Sequence, residues 1–241
     1  MRNLLSVFGL FAIFLALLCD FNTPVYAQSE DELLLQKYHA SIVDASKPLT
    51  KSGIDTTLIP LIKSNPDLQW DSQSRVLLVT WTNTSFFDNK IDSTINTASD
   101  MWVTAVPVLK VLMGQYVSET TNPELRMKQL LGMWPNVERS RFVEVWVDTN
   151  TIFRPCPDPE IWDCKCDTVF PQNVSLEHKQ WFENEVNNKY GPDGYPWTRQ
   201  GYTYDWGGIT KFGVSEFVIR KGSPVKIKSV NTPSTIYTTN K

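Results

Sequence analysis

The chain has little histidine and no strong excess of either charge. His39 and His178 are its only histidines among 241 residues, so a histidine-dependent hydrolase has two candidate bases. The 23 lysines and arginines nearly balance the 26 acids, which leaves a formal net charge of −3. Basic and acidic residues are mixed along the chain, and we therefore expect no nucleic-acid partner.

The common catalytic motifs are missing as well. The chain contains no H-E-x-x-H, no phosphate-binding loop and no dinucleotide fingerprint. The segment GVSEF, 213–217, lacks the second glycine of G-x-S-x-G and enters a predicted strand, which excludes a nucleophile elbow. An S-x-x-K match at 223–226 falls in a predicted turn, where serine and lysine do not share a helical turn. We predict no cofactor.

A carboxylate-only mechanism, as in glycoside cleavage, remains open from the sequence. It requires two acids about 5 to 10 Å apart across a cleft. Asp205, Glu216 and Glu144 are candidates. Their spacing along the chain does not rank them.

Only one long hydrophobic run occurs, and it lies at the N-terminus. Arg2 precedes an apolar run from Leu4 to Leu18, and the following polar stretch ends in Val25-Tyr26-Ala27. This pattern predicts a secretory signal peptide over 1–27. The run is shorter than the roughly twenty residues of a membrane-spanning helix. We expect a mature chain without a transmembrane segment, either periplasmic or secreted. Lipidation at Cys19 is an alternative that the bulky Leu18 before it disfavours.

The remaining composition predicts a folded domain. The chain is 41% hydrophobic and 20% charged and contains nine tryptophans, and the length left after cleavage suffices for one core. We predict a single globular α+β domain over 28–230. The polar residues 231–241 are expected to form a flexible C-terminal tail.

Local patterns predict three or four helices. Ser29 and Glu32 form a capping-box signature before a helix over about 30–44. Residues from about 108 to 114 also have a helical pattern. Asn122 and Pro123 begin a helix over about 123–133. The last helix runs over about 176–189.

Strand patterns predict an antiparallel or mixed sheet flanked by these helices. The segment 75–83 is apolar on both alternating faces, as in a central strand, and 141–148 alternates valines with a mixed face. Residues 101–107 are a third candidate. Over 215–230, two apolar segments flank Lys-Gly-Ser-Pro, which predicts a β-hairpin.

Three cysteines lie close together at 154–167. In an oxidising compartment one disulfide is expected, and Cys164 and Cys166 are too close to pair with each other. Cys156 therefore pairs with Cys166 or with Cys164. The longer ring accommodates the two intervening prolines with less strain, which favours Cys166. Cys164 would then be an inert buried thiol, a link between two molecules, or a group that exchanges with the disulfide.

The same segment does not match a metal site. The spacing from its cysteines to His178 differs from structural zinc patterns, and no calcium-loop pattern is present among its acids. We predict no metal. His178 is expected to be a core-edge histidine that hydrogen-bonds to a neighbour.

An aromatic-rich segment at 190–208 is the candidate ligand-binding region. Tyr202, Tyr204 and Trp206 alternate, so they share a face if extended, and Tyr195 and Trp197 precede them. Exposed rows of Tyr and Trp bind sugar rings or protein partners. The competing interpretation is a strand whose aromatic face belongs to the core.

The function best supported by these patterns is an exported binding or accessory domain. Its expected partner is a protein or a carbohydrate. A hydrolase that uses carboxylates, possibly on polysaccharide, is the alternative. A thiol–disulfide redox protein is a third reading, which depends on Cys164.

Overall fold

A seven-stranded antiparallel sheet forms the centre of this α+β domain, which we analysed in a computed structural model. The structure describes residues 28–51 and 54–238, so the predicted signal peptide over 1–27 lies outside the described residues. The helices are α1 (Glu30–Ser46), α2 (Val106–Glu119), α3 (Pro123–Leu130), α4 (Leu176–Lys189) and α5 (Pro233–Thr238). The strands are β1 (Val76–Thr82), β2 (Thr94–Asn96), β3 (Met101–Ala105), β4 (Arg141–Val147), β5 (Ile152–Phe153), β6 (Tyr202–Tyr204), β7 (Phe212–Ser215), β8 (Phe217–Ile219) and β9 (Pro224–Asn231). No helix in the described part of the chain is long and apolar enough to cross a membrane.

The strand β1 is central, as its two apolar faces predict. The large sheet has the order β2-β9-β4-β1-β3-β8-β5, and β6 and β7 form a separate two-stranded sheet. β1 pairs with β4 along its whole length, from Val76 opposite Val147 to Thr82 opposite Arg141. Both faces of β1 are covered, and a strand of this kind contains a nearly continuous run of apolar residues instead of an alternation of apolar and polar ones.

Each face of the sheet buries its own core. On one face Val76 and Leu78 pack with Phe217 and neighbouring apolar residues. On the other face Leu77 and Val79 pack beneath α2 and α3. Side chains of successive strand residues point to opposite faces, which places odd and even residues of β1 in different cores.

The predicted helix starts are confirmed by their caps. The Ser29 side chain accepts a hydrogen bond from the Glu32 backbone, and Glu32 returns one, which completes the capping box of α1. Asn122 caps α3 and Ser175 caps α4. α3 ends earlier than predicted, because the chain turns at Gly132, whose φ is +64°.

The predicted hairpin over 215–230 is wrong. β8 pairs with β3 and β5, whereas β9 pairs with β4 and β2, so the two strands lie in different parts of the sheet. All three residues of β8 are buried, which requires a strand on each side. Pro224 begins β9 and has no N–H to donate to a hairpin partner.

The predicted tail at 231–241 contains regular structure. Asn231 is still part of β9, and α5 follows over Pro233–Thr238. Residues 239–241 lie outside the described part of the chain.

The cysteine-rich loop contains the preferred disulfide. Cys156 and Cys166 are bonded, with 6.4 Å between their Cα atoms, and both are buried against Leu58 and Tyr202. The alternative pair of Cys156 with Cys164 does not form. Cys164 is a free and exposed thiol, so the idea that it is simply buried is wrong. Because both bonded sulfurs are buried, thiol exchange would first require the loop to open.

Replacing both bonded cysteines by alanine should lower the free energy of unfolding by about 3 kcal/mol, because the crosslink no longer restricts the unfolded chain. Urea denaturation of the Cys156→Ala/Cys166→Ala variant measures this loss. Cys164→Ser is the matched control and should unfold like the parent protein. Equal midpoints for the parent and the double variant would contradict a structural role for the disulfide.

Candidate functional site

A cavity lies where two neighbouring strands of the large sheet separate. β1 and β3 are paired at Leu78–Ala105 and Val79–Thr104. The same register would next place 80–82 opposite 101–103, but these segments line a cavity of about 480 Å³ instead. We call this place the split. Its volume is in the range of ligand-binding pockets, about 300 to 1,000 Å³.

The two strands separate because their indole side chains belong to different clusters. In a continued register Trp81 would lie opposite Trp102. Trp81 stacks on Phe142 of β4, with 4.7 Å between ring centroids. Trp102 contacts the rings of Trp181 and Trp197, at 6.1 and 5.9 Å. Each strand therefore follows its own neighbour, β4 or β8, and the pairing ends.

Four of the five predicted ligand-binding aromatic residues line this cavity. They are Tyr195, Trp197, Tyr202 and Tyr204. Trp197 and Tyr202 are buried, Tyr204 is half-buried, and Tyr195 is 39% exposed. These residues thus form cavity walls and not an exposed row.

Trp206, the fifth predicted residue, lies elsewhere. β6 ends at Tyr204, so the expected alternation stops before Trp206. The indole N–H of Trp206 donates to the Met133 carbonyl oxygen at 2.9 Å, and its ring packs against Tyr38 of α1. Trp206 belongs to a small core cluster beneath α1.

Glu216 places a carboxyl group in the cavity. It is the single residue between β7 and β8, and its N–H donates to the Gly201 carbonyl oxygen at 2.9 Å. No side-chain hydrogen bond or ion pair from residues 28–51 or 54–238 reaches its carboxyl group. Burial raises the pKa of Glu216 to about 8, although the charge of Lys189 lowers it in part. At neutral pH the group is therefore mainly protonated and acts as a hydrogen-bond donor.

Lys189, at the end of α4, lies between aromatic rings of the cavity wall. Its Nζ is 4.8 Å from the ring centroid of Trp102 and 5.6 Å from that of Tyr195. The ammonium group also pairs with Glu185 Oε2 at 3.1 Å. Cation–π contacts and the ion pair hold this side chain in place.

Three further residues of the cavity lining carry hydrogen-bond donors. The indole Nε1 atoms of Trp81 and Trp197 are buried and have no hydrogen-bond partner among the described residues. Arg139 donates to the neighbouring Glu138 carbonyl oxygen at 3.1 Å, and no acid of the described residues pairs with it. The two indole Nε1 atoms have almost no accessible surface and are therefore closed to a ligand in the cavity, whereas Arg139 is partly exposed.

Asp100 is a second acid in the cavity lining, and the sequence patterns did not identify it. Its Oδ1 accepts from the Lys221 backbone N–H at 2.7 Å, and its Oδ2 accepts from Trp181 Nε1 at 2.8 Å. Both carboxylate oxygens already have protein donors. Asp100 thereby fixes the start of β3 against α4.

The other two predicted carboxylates have structural partners outside the cavity lining. Asp205 accepts two hydrogen bonds from Arg126, at 2.8 and 2.5 Å. Glu144 is buried and pairs with Lys110 at 2.6 Å and with Lys228 at 3.5 Å. Of the three acids nominated from the sequence, only Glu216 reaches the cavity.

The predicted hydrogen bond of His178 to a neighbour is confirmed, and the side chain is fully buried instead of lying at the edge of the core. Its Nε2 donates to the Cys156 carbonyl oxygen at 2.8 Å, and its ring stacks on Trp181. Burial lowers its pKa, since the charged form loses hydration. Within the described residues, no group of three or more metal-ligating side chains is close enough to hold a metal ion.

The geometry provides aromatic walls and a mainly protonated carboxyl group around one cavity, with the partly exposed Arg139 in its lining. Such a site can bind a small ligand that accepts hydrogen bonds. Comparison with known protein families, curated proteins and solved structures finds no match for this chain.

Proposed function

We propose that this protein is an exported binding or accessory domain whose ligand occupies the cavity at the split. The observation that carries the proposal is the unpaired Glu216 carboxyl group inside an aromatic cavity. Glu216 is partly exposed and lines the cavity, and no side chain of the described residues bonds to its carboxyl group, so that group is open to a ligand. A ligand that accepts a hydrogen bond can pair with the protonated form of this group.

Export is supported by two independent features. The N-terminal pattern over 1–27 is typical of a secretory signal. The buried disulfide between Cys156 and Cys166 is typical of proteins in oxidising compartments. We place the mature protein in the periplasm or outside the cell.

The shape of the site favours a carbohydrate unit or a short peptide segment as the bound group. The aromatic residues enclose a cavity, whereas a flat protein surface would need an exposed row. Trp102 and Tyr195 belong to the cavity lining, and aromatic side chains there suit packing against a sugar or an apolar side chain. Hydroxyl groups of the strand threonines add polar contacts.

Removal of the Trp102 indole tests the location of the site. We expect Trp102→Ala to weaken ligand binding at least about tenfold, because a central aromatic residue of a pocket commonly supplies that much affinity. The probes are chitotriose, cellotriose, trigalacturonate and short peptides, with binding followed by tryptophan fluorescence and calorimetry.

Trp162→Ala is the matched control for this experiment. Trp162 is 48% exposed on the cysteine-rich loop and does not line the cavity. The Trp162→Ala variant should bind the probes with the same affinity as the parent protein. Thermal unfolding of both variants separates loss of the site from loss of the fold. Unchanged affinity in folded Trp102→Ala would reject the cavity as the binding site.

A polysaccharide hydrolase is the second candidate function. It is favoured by the presence of Glu216, an acid with a raised pKa, and Asp100 in the same cavity lining. The two protein donors on Asp100 favour a positioning role for it and therefore favour binding over hydrolysis. Release of reducing ends from polysaccharide by the parent protein, lost in Glu216→Gln, would establish hydrolysis. No release by the parent protein rejects it for the polysaccharides tested.

A further inference from the structure

The cavity at the split lies along the edges of two strands. A cavity on one face of a strand contacts every second residue, because neighbouring side chains point to opposite faces. This cavity is lined instead by consecutive residues, 79–82 of β1 and 101–104 of β3. Consecutive residues are reached together only along the edge of a strand, where the main chain lies. The main chains of β1 and β3 therefore face each other across the split.

The main-chain groups of Trp81 point into the split. The Leu77 N–H donates to the Gln69 carbonyl oxygen at 2.9 Å, on the side of β1 that faces away from β4. Main-chain groups of every second strand residue point to the same side, so those of Val79 and Trp81 also point away from β4. On this side Val79 lies opposite Thr104 of β3, and the pairing ends there.

The main-chain groups of Trp102 point into the split from the other strand. The Arg220 N–H donates to the Thr151 carbonyl oxygen at 3.0 Å, towards β5. β8 lies between β5 and β3, so the alternation turns the groups of Ile219 towards β3, where Met101 is opposite. The groups of Met101 thus face β8, and those of the next residue, Trp102, face β1.

Two N–H groups and two carbonyl oxygens are therefore left without strand partners in the split. In a continued ladder Trp81 and Trp102 would exchange two hydrogen bonds. Because the strands separate, no main-chain group of the described residues bonds to either residue on this side. Strand edges with free N–H and carbonyl groups pair with added peptide chains. An extended chain between two edges offers donors and acceptors to both.

We propose, on the basis that the cavity binds a ligand, that this ligand is an extended peptide segment whose main chain pairs with the free strand edges at Trp81 and Trp102. The segment continues the antiparallel sheet where β1 and β3 leave each other. A sugar ring does not present the row of alternating donors and acceptors that a strand edge matches. A peptide is therefore favoured over a carbohydrate in this part of the cavity.

The cavity lining also indicates which side chains the peptide carries. Side chains of an inserted strand alternate between the two faces of the sheet. Phe87 belongs to the core on one face and Leu109 to the core on the other, and both line the cavity. A strand covered by apolar residues on both faces is itself mostly apolar. We therefore expect a mostly apolar peptide.

Hydrogen exchange at the two tryptophan amides tests the pairing. Ligands are first selected on the parent protein from a random heptapeptide library displayed on phage, and the selected peptides are then synthesised. In the free protein, nuclear magnetic resonance should show the Trp81 and Trp102 backbone amides exchanging at least about tenfold faster than the Val103 amide. Val103 is the control, because its amide faces β8 with and without the peptide. In the saturated complex all three amides should exchange at similar rates.

N-methylation of each peptide residue in turn is the second measurement. It removes one main-chain N–H and keeps the side chain. Calorimetry should show at least about tenfold weaker binding at two neighbouring positions, because neighbouring residues of a strand bond in opposite directions, one to β1 and one to β3. A loss at isolated positions only would indicate that the peptide is held by one edge or by its side chains.

Several outcomes would overturn the peptide inference. They are a library that yields no ligand, slow exchange of the two tryptophan amides already in the free protein, fast exchange of either amide in every saturated complex, and N-methyl peptides without a loss at neighbouring positions. The binding function stands in these cases if chitotriose, cellotriose or trigalacturonate binds the parent protein and binds folded Trp102→Ala more weakly. If no sugar and no peptide does so, the binding function fails as well.

Discussion

The free energy of unfolding should fall as the pH rises from about 4.5 to about 8, and Glu216→Gln should abolish most of this fall. The pKa of Glu216 is raised from 4.5 to about 8 in the folded protein. Between these values the folded protein retains a proton that the unfolded chain has released, so stability decreases with increasing pH. At about 1.4 kcal/mol per pH unit, the full effect is up to about 5 kcal/mol.

Urea denaturation at several pH values from about 5 to about 9 measures this effect. The difference between the parent protein and Glu216→Gln is the relevant quantity, because His178 acts in the opposite direction. Its lowered pKa means that stability is lost as the pH falls below about 6.5. Glu183→Gln is the matched control, since Glu183 is an exposed acid on α4. Parallel curves for the parent protein and Glu216→Gln would disprove the raised pKa.

Asp205→Ala should destabilise the fold by about 3 to 5 kcal/mol, because it leaves a partly buried guanidinium group without its partner. Asp205 is 6% exposed and receives two hydrogen bonds from Arg126 of α3. Its Oδ1 also accepts from the backbone N–H groups of Gly207 and Gly208, at 3.0 and 2.8 Å. The same carboxylate thus joins α3 to the loop after β6.

Chemical denaturation of Asp205→Ala, Arg126→Met and the double variant measures the coupling between the two side chains. The double variant should be more stable than the sum of the two single losses predicts. Asp88→Ala is the control, because Asp88 also accepts two hydrogen bonds from one arginine, Arg141, at the protein surface. It should change stability little, since solvent screens exposed ion pairs. A similar loss for Asp88→Ala and Asp205→Ala would contradict the importance of burial.

The local elements of the fold were predictable because their signals are local. The capping box at Ser29 and the apolar run of β1 specify their own backbone conformation. The pairing of the strands depends on residues that are distant along the chain, so no local signal specifies it. β8 and β9 are close in sequence, yet each pairs with strands distant along the chain. The burial of all three β8 residues required two neighbours, which an isolated hairpin does not provide.

The candidate site was predictable in its aromatic part and, among three nominated acids, in Glu216. The density of Tyr and Trp at 195–206 indicated a special region, and four of those residues line the cavity. Arg139 and Asp100 carry no local motif, and they join the site only through the separation of β1 from β3. Glu216 did leave a sequence signal, as one acid within an otherwise apolar strand segment. The prediction that Trp206 shares a strand face with Tyr202 and Tyr204 was wrong, because β6 ends at Tyr204.

The position of β9 determines when the large sheet can be completed during synthesis. β9 is the last strand in chain order, yet it lies between β2 and β4, and it pairs residue 94 with residue 226. A growing chain that has not reached Asn231 therefore has two strand edges with no partner. Pairing across such distances along the chain is slow, because the loop must close before the contact forms. The attachment of β2 and the edge of β4 are therefore completed only after the end of β9 has been made.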